Sequence, residues 1–185
     1  MRFITHKMCP YAQRTWIALE ETGTPFEMVE IPLYGPGGKP SWFMELNPKG
    51  EVPVLTGGSA GTAIVGSEET VDYLMGSQNE VSRKWRCLIN ESLKPAGKQA
   101  VFSGDITRLE AVLRDLNARL STEAGPFVCG ETFTAADASA FPFLQRVHGE
   151  FGIPADCTRL REWYDAASGR PSVKKTIHRN FWWWW

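Results

Sequence analysis

The hydrophobic and polar positions follow different periods in the two halves of the chain. In the first half, short apolar runs alternate with helical stretches, and glycine and proline separate them. This alternation is typical of strands and helices in an α/β fold. In the second half, apolar residues such as Leu109, Leu113 and Leu116 recur at spacings of three and four, as on amphipathic helices. The pattern predicts an α/β domain over residues 1–76 and an all-helical domain over residues 77–185.

The first half contains local signals for the order strand–helix–strand–helix–strand–strand–helix. Pro10 suits the first turn of a helix, and Gly23 suits its end. Pro53 cannot donate to a sheet ladder, so it must lie at a strand start or edge. Ser67 precedes two glutamates and is a good N-cap. The predicted strands cover residues 2–8, 26–33, 51–56 and 62–65, and the predicted helices cover residues 10–22 and 41–46 and the segment after residue 67.

The second half is interrupted near its start. A helix begins around Trp85, and Pro95 and Gly97 are expected to cut or kink it. Between Leu74 and Asp105 there is room for only one abbreviated helix. Further helices are predicted over residues 106–120, from residue 134 and over residues 160–167.

Composition and charge narrow the range of partners. The chain has 185 residues with 20 basic and 21 acidic side chains, so its formal net charge is −1. Such a balance gives no electrostatic footprint for nucleic acid or an anionic membrane. No segment approaches the roughly 18 apolar residues that cross a bilayer, and the N-terminus reads as a strand rather than a signal peptide. We therefore expect a cytoplasmic protein that binds neither nucleic acid nor a membrane.

The cysteines add to this picture, and one of them is a candidate nucleophile. Cys9, Cys87, Cys129 and Cys157 lie far apart, without metal-type pairing, which favours a reducing compartment and no bound metal. Cys9 directly precedes a predicted helix, whose free N–H groups and dipole stabilise a thiolate and lower the thiol pKa. Because residue 12 is alanine, a second thiol is missing and only a monothiol mechanism fits. Taken alone, Cys9 fits a small buried core residue slightly better than a nucleophile.

A set of motifs resolves this ambiguity. Together they resemble the omega, lambda and dehydroascorbate reductase classes of glutathione transferase, in the correct order over nearly the whole chain. The resemblance implies a thioredoxin-like N-terminal domain followed by a shortened helical bundle domain. The motifs are residues 9–17, residues 39–43 with 47–55, Ser67 with residues 72–74, residues 127–131 with 134–137, and residues 170–173.

The resemblance also implies a glutathione site. Cys9 would form the mixed disulfide with glutathione, and Lys39 would contact the glycyl carboxylate. Val52, before a cis-Pro53, would hydrogen-bond the cysteinyl backbone as an added strand does. Ser67 would bind the γ-glutamyl carboxylate at a helix N-terminus.

Two further pairs of acidic or capping residues follow from the same comparison. The family usually has an acid before the serine matched to Ser67, and this chain has Gly66; Glu68 or Glu69 would partly substitute in holding the glutathione amine. Thr134 and Asp137 resemble the capping box of the helical domain and are assigned to structure.

The implied activity is glutathione-dependent thiol transfer, in the form of deglutathionylation or of disulfide or dehydroascorbate reduction. Glutathione is the co-substrate, and the protein would be a monomer or homodimer. A glutathione-conjugating transferase fits less well, because cysteine stores glutathione as a disulfide. The alternative class is a non-catalytic binding or regulatory module, as in the chloride intracellular channel proteins. The aromatic tail, residues 181–185, is expected to pack against the protein rather than stay exposed.

Overall fold

The structure, a computed structural model, describes residues 1–35, 37–59, 61–76, 79–122 and 124–178. The aromatic tail, for which packing was predicted, lies outside the described residues. Within them the chain forms a mixed sheet followed by a helical half, and the first half has the element order that the sequence predicts. The division between residues 76 and 77 remains a prediction. No helix among the described residues is long and apolar enough to span a bilayer.

The sheet has four strands in the order β2-β1-β3-β4. Strand β1 runs parallel to β2 and antiparallel to β3, and β3 runs antiparallel to β4. The strands are shorter than predicted, because the ladders end where prolines and turns begin. Their bounds are β1 Arg2–Thr5, β2 Glu27–Glu30, β3 Val54–Thr56 and β4 Ile64–Val65.

The helices of the first half have the predicted bounds where local signals are strong. Helix α1 runs from Pro10 to Thr22 and ends at Gly23 in the left-handed conformation. Helix α2 is Ser41–Leu46 and helix α3 is Ser67–Met75. The prediction that Ser67 is an N-cap is wrong: Gly66 has that position with φ of 107°, and Ser67 is the first helical residue.

The prediction of one abbreviated helix after α3 is also wrong. Helix α4, Glu80–Leu88, passes through a π-helical turn, Ile89–Leu93, into α5, Lys94–Ser103. In the π turn the amide of Lys94 donates to the carbonyl of Ile89, five residues back. Pro95 follows directly, and the wider turn accommodates a residue that lacks the N–H of a regular helix. The proline therefore does not end the helix.

The remaining helices form the second core. They are α6 Thr107–Leu120, α7 Ala135–Glu150, α8 Thr158–Gly169 and α9 Pro171–Lys174. Helix α7 is central, because every residue from 135 to 147 is buried. It packs on α1 of the first half as well as on α8. Consequently α7 brings residues of the helical half to the back of the helix that carries Cys9.

Candidate active site

Cys9 lies at the N-cap position of α1, immediately before Pro10. Its own side chain makes no capping hydrogen bond to this end of the helix. Because Pro10 has no N–H, the first amide groups available are those of Tyr11 and Ala12, and both lower the pKa of the Cys9 thiol. The amino end of α1 therefore directs its partial positive charge at the thiol.

Burial is nevertheless the largest influence on this thiol. It raises the pKa of Cys9 above its ordinary value, because a half-buried thiolate loses solvation. The amides of Tyr11 and Ala12 and the charges of Arg146 and Arg14 lower the pKa, but they do not outweigh burial. The expectation of a lowered Cys9 pKa is therefore wrong. His6 lines the same cavity as Cys9.

A cavity of about 1120 Å³ opens in front of the thiol. Four of the residues predicted for the glutathione site line it: Cys9, Lys39, Val52 and Ser67. These residues come from four separate segments of the first half, so the fold, and not the chain order, brings them together. The rest of the wall is His6, Met8, Pro10, Tyr11, Leu33, Tyr34, Gly50, Glu51 and Gly66.

Lys39 reaches the cavity across a glycine. Gly50 has φ of 65°, and a Cβ atom there would lie 2.9 Å from Nζ of Lys39 and 3.0 Å from Sδ of Met44. The positive φ favours glycine at position 50, and the missing Cβ lets the lysine side chain pass close to the backbone. The ammonium group of Lys39 thus lies close to Gly50 on the cavity wall, where it can meet an anionic group.

Val52, which precedes Pro53, is another residue of the cavity wall. The Val52–Pro53 peptide bond is cis, as the sequence motif implies. Pro53 does not itself line the cavity within the described chain, whereas Val52, which is 7% exposed, does. The ladder between β1 and β3 begins only at Val54. The backbone of Val52 is therefore in position to pair with an extended peptide in the cavity.

The amino end of α3 also faces the cavity. Ser67 is mostly buried, and its hydroxyl accepts a hydrogen bond from Nη1 of Arg14 at 3.3 Å. No side-chain hydrogen bond caps this end, so its N–H groups can bind an anion. The carboxylate of Glu69 lies beside Gly66, where a Cβ atom would collide with it. An acidic group is thus present next to position 66, although it comes from one turn further along α3.

Glu68, in contrast, does not line the cavity. Its Oε1 accepts hydrogen bonds from Nη1 of Arg14 at 2.7 Å and from Nδ2 of Asn90 at 3.1 Å, and its carboxylate also pairs with Arg86. Arg14 and Arg86 are buried and need a counter-charge, so they take up this carboxylate. The prediction that Glu68 helps to hold the glutathione amine is not supported by this arrangement.

The capping residues lie far from the cavity, at the start of α7. Thr134 and Asp137 form a capping box, and Asp137 is fully buried. One oxygen of Asp137 accepts from the amide of Val128 and the indole of Trp163, and the other accepts from the amide and hydroxyl of Thr134. Burial raises the pKa of Asp137, and these four hydrogen bonds oppose the rise. The geometry is that of a structural group.

Sequence reasoning missed Arg146, which contacts the Cys9 segment from α7. It donates to the carbonyl of Met8 and to the side chain of Gln13. A signal was present: Gln145 and Arg146 interrupt a long run of small and apolar residues in a helix. Long polar side chains at such positions are rarely buried without specific partners. The described residues contain no group of three or more His, Cys, Asp or Glu that could hold a metal ion.

Comparison with known proteins identifies the family. Two family models match the chain, Glutathione S-transferase, N-terminal domain, over residues 8–75 and Glutathione S-transferase, C-terminal domain, over residues 99–166. Glutathione S-transferase DHAR2 of Arabidopsis thaliana is 30% identical over 182 residues, which cover 91% of this chain and 83% of that protein. This chain belongs to the glutathione S-transferase family. The resemblance inferred from the motifs is confirmed, and this glutathione S-transferase is an enzyme of the superfamily.

Two other relatives add detail. Glutathione S-transferase omega-1 of Mus musculus is 40% identical over 74 residues, which cover 40% of this glutathione S-transferase and 29% of the mouse protein. The solved structure of glutathione transferase Omega 3C from Trametes versicolor matches with a TM-score of 0.78 and 22% identity, over 96% of this chain and 84% of that one. At this identity the structural match shows the fold alone, and it confirms the thioredoxin-like sheet followed by a helical domain.

Proposed function

We propose that this protein is a glutathione-dependent thiol transferase and reductase in which Cys9 is the nucleophile. The observation that carries the proposal is the position of Cys9, at the open amino end of α1 and on the wall of a cavity shared with Lys39, Val52 and Ser67. The match to relatives named DHAR and omega-1 supports the same class of chemistry. Its substrates would be glutathione mixed disulfides, other small disulfides and dehydroascorbate.

Glutathione would lie extended along the cavity wall. The ammonium of Lys39 would bind the glycyl carboxylate, and the backbone of Val52, shaped by the cis bond to Pro53, would pair with the cysteinyl unit. Ser67 and the amide groups at the start of α3 would bind the γ-glutamyl carboxylate. Glu69, rather than Glu68, would face the γ-glutamyl ammonium, since its carboxylate lies beside Gly66.

The reduction of a glutathione mixed disulfide would take two displacements. The Cys9 thiolate attacks the glutathionyl sulfur of the mixed disulfide and breaks its S–S bond. The electron pair of that bond leaves with the substrate sulfur as a thiolate, which takes a proton from water. A glutathione thiolate then attacks the glutathionyl sulfur on Cys9, which forms glutathione disulfide and returns the Cys9 thiolate. Because residue 12 is alanine, this second attack requires an external thiol.

Dehydroascorbate would enter the same cycle through carbon. The Cys9 thiolate adds to a carbonyl carbon, and a glutathione thiolate then attacks the Cys9 sulfur. The C–S bond breaks, its electron pair goes to the product, and the product takes a proton and leaves as ascorbate. Cys9 is left as the glutathione disulfide, and a second glutathione releases it as before.

One observation favours a second candidate, a binding module that holds glutathione without turnover. Burial raises the pKa of the Cys9 thiol, which reduces the fraction of thiolate at neutral pH. Position 66, where the family usually has an acid that holds the glutathione amine, is glycine. This departure from the family pattern also favours a non-catalytic module. Such a module would still form a disulfide with glutathione but would release it too slowly for catalysis.

The two candidates are separated by adduct formation and turnover. We expect incubation with glutathione disulfide to add one glutathione to Cys9, located by peptide mass spectrometry. Turnover of hydroxyethyl disulfide and dehydroascorbate should fall by at least about 10³-fold in Cys9→Ser, because serine cannot form the disulfide. Cys87→Ser, which alters an exposed cysteine, is the matched control and should retain full activity.

Each outcome has a definite meaning. An adduct on Cys9 with no turnover above the rate of free glutathione would favour the binding module. Turnover that survives in Cys9→Ser would contradict the proposed role of this cysteine and favour a conjugating type of chemistry. We also propose a cytoplasmic location, in keeping with four free cysteines, Cys9, Cys87, Cys129 and Cys157.

A further inference from the structure

Arg146 of α7 holds the segment that carries Cys9. Its Nη2 donates to the carbonyl of Met8 at 2.9 Å, and its Nη1 donates to Oε1 of Gln13 at 2.8 Å. Nη1 also donates to the carbonyl of Pro142 in its own helix at 2.7 Å, which fixes the guanidinium on α7. The side chain is 4% exposed. One buried side chain therefore hydrogen-bonds to residues both before and after Cys9.

The second anchor, Gln13, is itself held on several sides. Its backbone amide donates to the carbonyl of Cys9 at 2.9 Å, as part of the first turn of α1. Its side-chain Nε2 donates to Oε1 of Gln145 at 2.8 Å and to the carbonyl and hydroxyl oxygens of Thr176, each at 3.3 Å. A buried hydrogen-bonded network of this kind fixes side-chain positions. The first turn of α1 is thus docked on α7 through polar groups.

We propose that Arg146 is a positioning residue of the thiol reaction: through Met8 and Gln13 it fixes the Cys9 segment and keeps a guanidinium charge beside the thiol. The catalytic role of Arg146 rests on the proposed function, in which Cys9 is the nucleophile, whereas its effect on the thiol does not. The chemistry assigned to Arg146 is to stabilise the Cys9 thiolate, both before attack and when that thiolate is released in the last step of the cycle.

Arg146 and two other buried arginines, Arg14 and Arg86, have different neighbours. Arg14 and Arg86 pair with the carboxylate of Glu68. The three acceptors of Arg146 named above are neutral groups, and the charge of Cys9 favours its ionised form. Burial lowers the pKa of Arg146 to about 10, so it stays charged at neutral pH.

Other ionisable side chains influence the thiol or line its cavity, and they are left unchanged in the test. They are Arg14 and Tyr11 from α1 and the cavity-lining His6, Lys39 and Glu51.

Arg170 is a matched control, because it also joins the two halves of the chain. Its Nε donates to Oε2 of Glu21 at 3.1 Å, at the far end of α1 from Cys9. It therefore contributes to docking of the helical half without contact to residues 8–13. Replacing it tests whether any loosening of this docking alters the thiol.

The test is the rate of Cys9 alkylation by iodoacetamide between pH 6 and 10, followed by peptide mass spectrometry. In Arg146→Gln and Arg146→Met the profile should move to higher pH, with the rate at pH 8 lowered about tenfold, the effect of removing one nearby charge. Arg146→Lys, which restores charge without the planar set of donors, should recover part of the rate. Arg170→Gln should match the parent protein. Far-UV circular dichroism checks that each variant is folded.

Two results would overturn the inference. One is a pH profile of alkylation in folded Arg146→Gln or Arg146→Met that equals that of the parent protein. Arg146→Gln is the milder change, because glutamine keeps a hydrogen-bond donor. The other is an equal displacement of the profile in Arg170→Gln, which would assign the effect to domain docking in general. Alkylation requires neither glutathione nor turnover, so failure here is distinct from failure of the proposed function, which the Cys9→Ser assay tests.

Discussion

The amino ends of α1 and α7 carry the same unpaired N–H groups, and the protein treats them in opposite ways. At α7 the chain supplies its own anion: the buried carboxylate of Asp137 accepts four hydrogen bonds, including that from the amide of Thr134. At α1 no side-chain hydrogen bond caps the helix, and its first amides lower the pKa of the Cys9 thiol on a cavity wall. A helix end closed by its own residues stabilises the fold, whereas an open one can stabilise an anion that takes part in chemistry.

Helix α3 extends the comparison. Its amino end begins at Ser67, also without a side-chain cap, and it faces the same cavity as Cys9. Two open helix ends therefore converge on one space. In the proposed function the end of α1 stabilises the Cys9 thiolate, and the end of α3 binds a carboxylate of the ligand. At these two ends the anion is therefore supplied by the reacting groups and not by a capping side chain.

The largest expected effect comes from the closed end. Asp137→Asn replaces one acceptor oxygen by an NH₂ group that faces existing donors, and it should lower the free energy of unfolding by about 3 kcal/mol. Urea unfolding followed by circular dichroism measures this change. Asp165→Asn, on the exposed face of α8, is the control and should stay within about 0.5 kcal/mol of the parent.

The comparison also predicts what Asp137→Asn leaves unchanged. In protein that remains folded at low urea concentration, Cys9 should be alkylated at the parental rate, because Asp137 does not contact the Cys9 segment. A loss of Cys9 reactivity without a loss of stability would remove the distinction between a structural and a reactive helix end.

Local signals determine how much of this could be predicted from the sequence. The bounds of α1 follow from Pro10 and Gly23, and the capping box follows from the spacing of Thr134 and Asp137, since each depends on a few neighbouring residues. The grouping of Lys39 with other cavity residues followed from the family motifs. Each of these features is encoded within a short segment.

The features that sequence reasoning missed depend on contacts between distant segments. Glu68 turns to buried arginines because Arg86, from α4, needs a counter-charge there. The pKa of Cys9 is raised because the packed surroundings desolvate the thiol, which no local pattern encodes. Arg146 meets Met8 only after α7 has packed on α1. Spacing along the chain carries little information on such pairs.

The second prediction concerns the open end of α1. Because burial raises the Cys9 pKa, the thiol is protonated at neutral pH, and its thiolate fraction should grow about tenfold per pH unit up to that pKa. Alkylation of Cys9 should therefore accelerate by roughly 100-fold from pH 7 to pH 9, without a plateau in between. Peptide mass spectrometry resolves Cys9 from Cys87 and Cys129.

A plateau below pH 7 would reverse this conclusion. It would mean that the amides of Tyr11 and Ala12 and the nearby arginines outweigh burial, as the position of Cys9 before a helix first suggested. Turnover should follow the same profile as alkylation as long as attack by Cys9 limits the rate, so a flat turnover profile would point to a later step.

The smallest effect is expected at the open end of α3, where the acid beside the cavity comes from Glu69. Glu69→Gln removes one exposed charge next to Gly66 and should raise KM for glutathione about fivefold, with kcat unchanged, because the contact acts on binding alone. Glu68→Gln is the matched control: its carboxylate is held by Arg14 and Arg86, so it should lower stability and leave KM near the parental value. The opposite pattern, with KM raised only in Glu68→Gln, would show that the buried arginine pair, and not the residue beside Gly66, governs glutathione binding at this helix end.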